Sequence, residues 1–325
     1  MQNLVTVFGG SGFIGSQAVR QLAKAGWRIR VAVRQTNLGY RMRLHGDVGQ
    51  IDLVQANVRN EASVRRALEG ATASINLVST LYEHGRQKFA SLNAMGARNV
   101  AAAARAEGVS RVVQMSALGA DLQSESKYAR TKAEGEVAVR EIYPDAVIVR
   151  PSIVFGPEDH FFNKFAAMAG TSPFLPLIGG GTTRFQPVFV GDVARALTYA
   201  VTDEAAAGQT LELGGPAVLT FRQLMELMLK EIERSRMLLP IPFWAAEIIG
   251  SAAQLGAFAM EPPITADQVT LLRADNVVSG QYPGLPDLGV IPTTLEAVLP
   301  GYLYRYRKGG QYADQEDREL VRRPA

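Results

Sequence analysis

The chain has 325 residues, of which 47% are hydrophobic and 20% are charged, an ordinary globular composition that suffices for a large domain with a smaller one beside it. Its 34 basic and 31 acidic residues leave a net charge of +3, an excess too small to indicate a nucleic-acid partner. The chain contains no cysteine and only 3 scattered histidines, which excludes disulfides and thiolate nucleophiles and leads us to expect no metal site.

A glycine-rich turn directly follows the first predicted strand, 4–8. The turn and the start of the next helix comprise Gly9, Gly10, Ser11, Gly12, Phe13, Ile14 and Gly15. In a βαβ unit the first glycine of such a motif permits a tight turn, the second lets the backbone approach a pyrophosphate, and the third allows close helix–strand packing. Because the phosphates would lie at the positive end of that helix, the sequence predicts a dinucleotide site at these residues.

The first 155 residues alternate β-branched runs with helical patterns. Further strands are predicted at 28–33, 51–55, 73–78, 111–115 and 146–149, and helices at 16–24, 61–69, 89–107 and 128–142. This alternation predicts an α/β fold with a doubly wound parallel sheet of the Rossmann type. We place this dinucleotide-binding domain at 1–155.

After residue 155 the pattern becomes mixed. A strand is predicted at 185–190, a helix at 192–201, a strand at 209–213 and a helix from Thr220 to 232. We expect 185–202 to return to the first domain, 156–184 and 203–301 to form a smaller, mixed C-terminal domain, and 302–325 to be a basic, polar tail.

Residues 240–263 form the most apolar stretch, although no window reaches the ~18 uninterrupted apolar residues of a membrane span. Proline and glutamate interrupt the stretch. It therefore reads either as an interfacial or partner-docking helix or as a core helix of the smaller domain. Because the first strand begins within a few residues of Met1, we expect no signal or transit peptide.

Arg34 closes the second predicted strand, where the adenosine ribose of a bound dinucleotide would lie. An acidic residue at this place would bind the ribose hydroxyls, whereas an arginine accommodates a 2′-phosphate. The sequence therefore predicts NADPH rather than NADH as the cofactor. The alternative is a solvated surface arginine.

Tyr128 and Lys132 are spaced one helical turn apart and therefore share one face of their predicted helix. A neighbouring ammonium would lower the pKa of the tyrosine hydroxyl and make proton transfer to a carbonyl feasible. Ser116 ends the preceding strand, at the edge where open α/β sheets bind ligands. Asn93 on the preceding helix is the fourth candidate, and its alternative is an exposed polar position.

These residues resemble the active-site set of the short-chain dehydrogenase/reductase superfamily, and segments 92–100, 150–157 and 187–194 are similar to motifs of its extended branch. The resemblance implies that Asn93, Ser116, Tyr128 and Lys132 are the catalytic positions and that the lysine also contacts the nicotinamide ribose. It implies cofactor contacts at Leu77, Ser116, Tyr128, Lys132 and Pro151, beside the glycine turn and Arg34. The interval between Ser116 and Tyr128 is short for that branch, which argues against a sugar-nucleotide substrate.

A narrower resemblance covers nearly the whole chain. Segments 74–78, 126–136, 154–163, 239–242, 261–269 and 283–290 are similar to those of the nucleotide-binding accessory subunits of respiratory complex I, the NADH:ubiquinone oxidoreductase. The resemblance implies a tightly held, structural or regulatory NADPH, and other complex I subunits as partners. It implies a peripheral position on the cytoplasmic face of the bacterial inner membrane near the quinone region, off the main electron path, with 240–263 touching lipid or neighbouring subunits.

Two other functions are consistent with the sequence. An active reductase would deliver hydride from NADPH to a carbonyl or quinone, with Tyr128 donating the proton, Lys132 tuning its pKa and Ser116 orienting the substrate. A soluble regulator would bind NADPH without turnover.

Overall fold

The computed structural model describes residues 3–255 and 264–310, and its first half alternates strands and helices as predicted. The elements are β1 (Leu4–Phe8), α1 (Phe13–Lys24), β2 (Arg28–Val33), β3 (Ile51–Gln55), α2 (Glu61–Leu68), β4 (Ala73–Asn76), α3 (Met95–Ala106), β5 (Arg111–Met115), α4 (Lys127–Ile142) and β6 (Val147–Pro151). Two 3₁₀ turns, Thr36–Leu38 and Tyr40–His45, separate β2 from β3.

The second half is built from shorter pieces. Its elements are β7 (Val154–Phe155), α5 (Phe162–Thr171), β8 (Phe174–Ile178), β9 (Arg184–Phe185), β10 (Val188–Phe189), α6 (Val190–Thr202), β11 (Thr210–Leu213), β12 (Leu219–Thr220), α7 (Phe221–Glu231), β13 (Met237–Ile241), α8 (Phe243–Leu255), α9 (Ala266–Leu271), α10 (Leu295–Val298) and α11 (Pro300–Leu303).

The central sheet has seven parallel strands in the order β11-β6-β5-β4-β1-β2-β3. One face packs on α1 and α6, and the other packs on α2, α3 and α4. The chain runs outward from β1 to β3 and then returns to β4 on the other side of β1. This reversal creates a crevice at the carboxyl ends of β1 and β4, which is where doubly wound sheets bind ligands. The predicted α/β fold class is confirmed.

The predicted strand 185–190 is divided in the structure. β9 pairs antiparallel with β12, whereas β10 pairs parallel with β7. Pro187 lies between the two short strands and has no N–H to donate to a ladder, so a continuous strand is disfavoured there. α6 then begins at Val190 and packs against α1.

The predicted strand at 209–213 forms β11, which pairs with β6 at the edge of the central sheet. Leu285 and Val290 also pack into the core beneath α1 and α6. The structure thus places β11, Leu285 and Val290 in the layers of the central sheet. Alternating apolar residues predict a strand but do not identify the strand beside it.

A second core lies outside the sheet. Aromatic side chains of α5, α7 and the short strands fill it, with Phe162 and Phe221 fully buried. β8 and β13 form a parallel pair that packs beside α8 and α9. The side chains of Trp244 and Ile248 on α8 are exposed, at 66% and 63%. Residues 256–263 of the predicted apolar stretch and 311–325 of the predicted tail lie outside the described residues.

Within 3–255 and 264–310, no helix combines the length and the apolar character needed to cross a bilayer.

Candidate functional site

The glycine turn is a tight connection between β1 and α1. Gly9 has a φ of +78°, a conformation that favours glycine, and its N–H donates to the carbonyl of Ala32 at 3.2 Å. A β-carbon on Gly15 would overlap the carbonyl oxygen of Gly9, and one on Gly10 would stand 2.9 Å from a methyl of Val31. The glycines therefore allow α1 to start directly against the end of the sheet.

The start of α1 suits an anion. Gly12 is the N-cap, so no side chain caps the helix, and the first turn contains no acidic residue. Ser11 is exposed, and Phe13 and Ile14 are half-buried beside it. The positive end of the helix is thus free of any competing carboxylate from its own first turn, as a pyrophosphate site requires.

Arg34 follows β2 on the opposite side of β1 from β4 and β5. Its side chain is exposed and makes no hydrogen bond or ion pair within the described part of the chain. Only its backbone carbonyl is engaged, by the amide of Gln55 at 3.2 Å. The guanidinium is therefore available to a phosphate at this end of the crevice.

Tyr128 and Lys132 lie in the first turns of α4, beneath the end of β5. The ammonium of Lys132 is 5.7 Å from the centroid of the Tyr128 ring and donates to the carbonyl of Met115 at 3.3 Å. Burial lowers the pKa of Lys132, which is 4% exposed, to about 8, and the nearby carboxylate of Glu136 opposes this shift.

Burial also raises the pKa of Tyr128 to about 12, and a hydrogen bond with Ser79 offsets this rise only in part. The prediction that Lys132 lowers the tyrosine pKa is therefore wrong for the protein without a bound ligand. Desolvation of the half-buried tyrosine disfavours the phenolate, and the carboxylate of Asp267 disfavours it further. Tyr128 is a hydrogen-bond donor at neutral pH.

Ser116 follows β5 and points its hydroxyl into a dry environment. Its N–H donates to the carbonyl of Val149 at 2.7 Å, but its Oγ is buried and has no hydrogen-bond partner. A buried hydroxyl without a partner is costly and uncommon in native proteins. Ser116 directly follows Met115, whose carbonyl accepts from the ammonium of Lys132, so this hydroxyl is a candidate binding group for a ligand in the crevice.

Asn93 is buried in a π-helical turn, Ala90–Ala94, where the sequence predicted regular helix. Its Oδ1 accepts from the hydroxyl of Ser79 at 2.9 Å, and its Nδ2 donates to the hydroxyl of Thr131 at 3.2 Å. The predicted alternative, an exposed polar position, is wrong. Widened turns of this kind are frequent at functional sites because they re-aim a side chain.

Three residues of this network have no local sequence signal. Ser79 contacts both Asn93 and Tyr128, and Thr131 links Asn93 to α4. Gly135 lets α4 approach the π turn, because a β-carbon there would overlap the carbonyl oxygen of Asn93. For Gly135, the sequence offers one hint of this close approach: a residue without a side chain one turn after Lys132.

Leu77 follows β4 and Pro151 ends β6, the two strands that flank β5. The N–H of Leu77 donates to the carbonyl of Phe8 at 3.0 Å, and its backbone lies against Gly9. Pro151 ends β6, and its carbonyl accepts from the N–H of Leu118 at 3.0 Å. The structure thus gathers the glycine turn with Leu77, and Asn93 with Ser116, Tyr128 and Lys132. Arg34 lies at the far end of the crevice, beyond β1.

The site lies within the part of the chain that matches a known protein family. The model of the NAD dependent epimerase/dehydratase family matches residues 5–214, from β1 through β11. The chain belongs to this family. The match includes the glycine turn, the π turn and α4, whereas the helices α8 and α9 lie beyond it.

Two relatives and one solved structure extend this family assignment. NADH dehydrogenase [ubiquinone] 1 alpha subcomplex subunit 9, mitochondrial, of Arabidopsis thaliana is 36% identical over 94% of this chain and 79% of its own length. The protein of the same name from Mus musculus is 34% identical over 94% of this chain and 80% of its own. The Escherichia coli NADPH-dependent quinone oxidoreductase QOR2, complexed with NADPH, has a TM-score of 0.70 at 20% identity, over 92% of this chain and 98% of that one. At this identity the last likeness concerns the fold alone.

Proposed function

We propose that this protein is a dinucleotide-binding accessory subunit of respiratory complex I. The observation that carries the proposal is the 36% identity to a subunit of NADH dehydrogenase over 94% of this chain, well past the end of the family match. In this role the protein contributes to assembly and shape. With no cysteine in the chain, it has no ligands for an iron–sulfur cluster of the electron path.

The dinucleotide fits the residues of the crevice. The glycine turn and the open start of α1 would hold the pyrophosphate, and the unpartnered Arg34 would hold a 2′-phosphate. Lys132, Tyr128 and the buried hydroxyl of Ser116 would donate to the nicotinamide ribose and ring. The cofactor would therefore be NADPH rather than NADH. Bound there, it would supply a hydride donor.

Tyr128 suits a binding role in this proposal. Burial raises its pKa to about 12, so it keeps its proton at neutral pH and would serve as a hydrogen-bond donor. In the accessory role it would help to hold a nucleotide in place as a structural group.

The peripheral position rests on one surface. Trp244, Ile248 and Ile249 of α8 and Met237 of β13 expose large apolar side chains. Exposed apolar side chains of this size suit the boundary between lipid headgroups and acyl chains. We propose that this surface, which includes part of the predicted stretch 240–263, contacts lipid at the cytoplasmic face of the inner membrane, near the quinone region of the complex.

Native electrophoresis of detergent-solubilised membranes tests the accessory role. The chain is expected to migrate with NADH:quinone activity, and alkaline extracts of that band, in which the reduced nicotinamide is stable, are expected to contain NADPH. Recovery of the chain in the soluble fraction alone would reject the proposal.

Vesicle flotation tests the lipid contact. The double variant Trp244→Ser with Ile248→Ser is expected to float less with anionic vesicles than the wild type does. Leu122→Ser, a change at another exposed apolar residue, is expected to float as the wild type does.

An active reductase is the second candidate, and the unpartnered hydroxyl of Ser116 favours it. In that role Ser116 would orient a carbonyl oxygen, Tyr128 would donate its proton to that oxygen, and Lys132 would hold the nicotinamide ribose. Purified protein should then oxidise NADPH in the presence of a carbonyl or quinone. The variant Tyr128→Phe should abolish that oxidation while retaining NADPH binding, and residual activity would exclude Tyr128 as the acid.

A further inference from the structure

A carboxylate from the C-terminal part of the chain holds the start of α4. Asp267 accepts the backbone N–H of Lys127 at 2.6 Å and that of Tyr128 at 3.2 Å. It also accepts the hydroxyl of Ser126, the N-cap residue, at 2.9 Å. One side chain on α9 therefore binds the first turn of the helix that carries Tyr128 and Lys132.

The first turn of α4 needs this carboxylate. It contains no acidic residue of its own, and Lys127, Arg130 and Lys132 add positive charge to the positive end of the helix. An anion there satisfies free N–H groups and offsets the helix dipole. Because Ser126 uses its hydroxyl oxygen to accept the N–H of Ala129, Asp267 supplies the remaining acceptors.

α9 is in turn fixed to α8. A β-carbon on Gly250 of α8 would stand 2.7 Å from the backbone nitrogen of Ala266, so the two helices are in close contact. Arg273, just after α9, pairs with Glu247 of α8 at 2.5 Å and lies over the ring of Phe243. A displacement of α8 therefore acts on the segment that holds Asp267.

We propose that Asp267 is a positioning residue of the dinucleotide site, which places Tyr128 and Lys132 at the nicotinamide-ribose end and connects that end to the exposed apolar surface of α8. This inference rests on the proposed function, in which a nicotinamide dinucleotide occupies the crevice. It does not depend on whether the dinucleotide turns over. Asp267 touches neither the glycine turn nor Arg34.

Isothermal titration of Asp267→Asn with two ligands tests the proposal. NADPH spans the whole crevice, whereas adenosine 2′,5′-bisphosphate has no nicotinamide ribose and reaches only the glycine-turn and Arg34 end. We expect Asp267→Asn to bind NADPH about tenfold more weakly than the wild type does, because a charged acceptor is lost. Both proteins should bind the bisphosphate equally well. Asp287→Asn is the matched control, since its carboxylate accepts the N–H of Gly284 at 2.8 Å and does not contact α4.

Hydrogen–deuterium exchange without any nucleotide tests the contact of Asp267 with the first turn of α4, which we call the clamp. The amides of Lys127 and Tyr128 should exchange at least about tenfold faster in Asp267→Asn than in the wild type. Their exchange rates should be unchanged in Asp287→Asn. Unaltered exchange, unaltered NADPH affinity, or an equal loss for both ligands would each overturn the positioning role. Failure of the wild type to bind NADPH while the exchange difference persists would instead reject the proposed cofactor and retain the clamp.

Discussion

Gly135 of α4 lies against the backbone carbonyl of Asn93 so closely that no larger residue fits between them. The contact fixes the distance between the π turn and the helix that carries Lys132. Because the opposing group is backbone rather than a flexible side chain, it cannot move aside cheaply.

We expect Gly135→Ala to destabilise the protein by about 1–3 kcal/mol, although alanine is the better helix former. Gly170→Ala in α5 is the control, since a β-carbon there would meet nothing within 4 Å. That substitution should stabilise by about 0.4–1 kcal/mol. Urea unfolding gives the free energies of unfolding of both variants. Equal stabilisation would show that the close contact with Asn93 does not penalise a larger residue at position 135.

Asp192 is fully buried, and its loss should be costly. Its carboxylate accepts the N–H of Thr293 at 2.6 Å, the hydroxyl of Thr293 at 2.9 Å and the guanidinium of Arg195 at 2.5 Å. We expect Asp192→Ala to lower the free energy of unfolding by about 2–4 kcal/mol, because the half-buried N–H and hydroxyl of Thr293 lose their acceptor at a fully buried position. Asp203→Ala, which removes a single exposed cap, should cost about 1 kcal/mol or less. Similar losses in both variants would contradict the interpretation.

Lys132 should make stability rise with pH in the alkaline range. Its pKa is lowered from 10.5 to about 8 in the folded protein, so between these values the unfolded chain binds more protons than the folded one. Stability relative to Lys132→Met should therefore increase from about pH 8 to pH 10, by at most about 1.4 kcal/mol per pH unit. The raised pKa of Tyr128 has the opposite effect, but only above pH 10. Lys127 is exposed, so the free energy of unfolding of Lys127→Met should change with pH in parallel with that of the wild type. A parallel curve for Lys132→Met as well would contradict the lowered pKa of Lys132.

Arg34 should determine the choice between NADPH and NADH. We expect Arg34→Asp to weaken NADPH binding tenfold or more, since charge-assisted hydrogen bonds contribute about 1.5–3 kcal/mol, and to leave NADH binding equal or tighter. Arg98→Asp makes the same charge change at an exposed position on α3 and should alter neither affinity. Unchanged NADPH binding to Arg34→Asp would remove the basis for the preference.

Local patterns were sufficient for the central layers. The predicted bounds of β1, β2, β3 and β5 agree with the structure, because each is a short apolar run bounded by turn residues. The divided strand at Pro187 and the placement of β11 beside β6 depend on tertiary pairing, which a single sequence does not encode.

The site was only partly accessible from the sequence. Motif residues such as Ser116 and Lys132 could be named, but the raised pKa of Tyr128 follows from burial that no spacing reveals. Asp267 lies between Thr265 and Gln268, which form a capping box, and therefore looks like an ordinary acidic residue of the first turn of α9. Its second role depends on a contact across 140 residues of chain.

That separation has a consequence for synthesis. A ribosome makes α4 long before it makes Asp267, since Lys127 and Asp267 are 140 positions apart in the chain. The first turn of α4 therefore lacks its anion until the C-terminal segment has docked on it. A chain cut before residue 267 would lose this anion together with Leu285 and Val290 of the central core, so both the start of α4 and the layers around the sheet are completed by the C-terminal part of the chain.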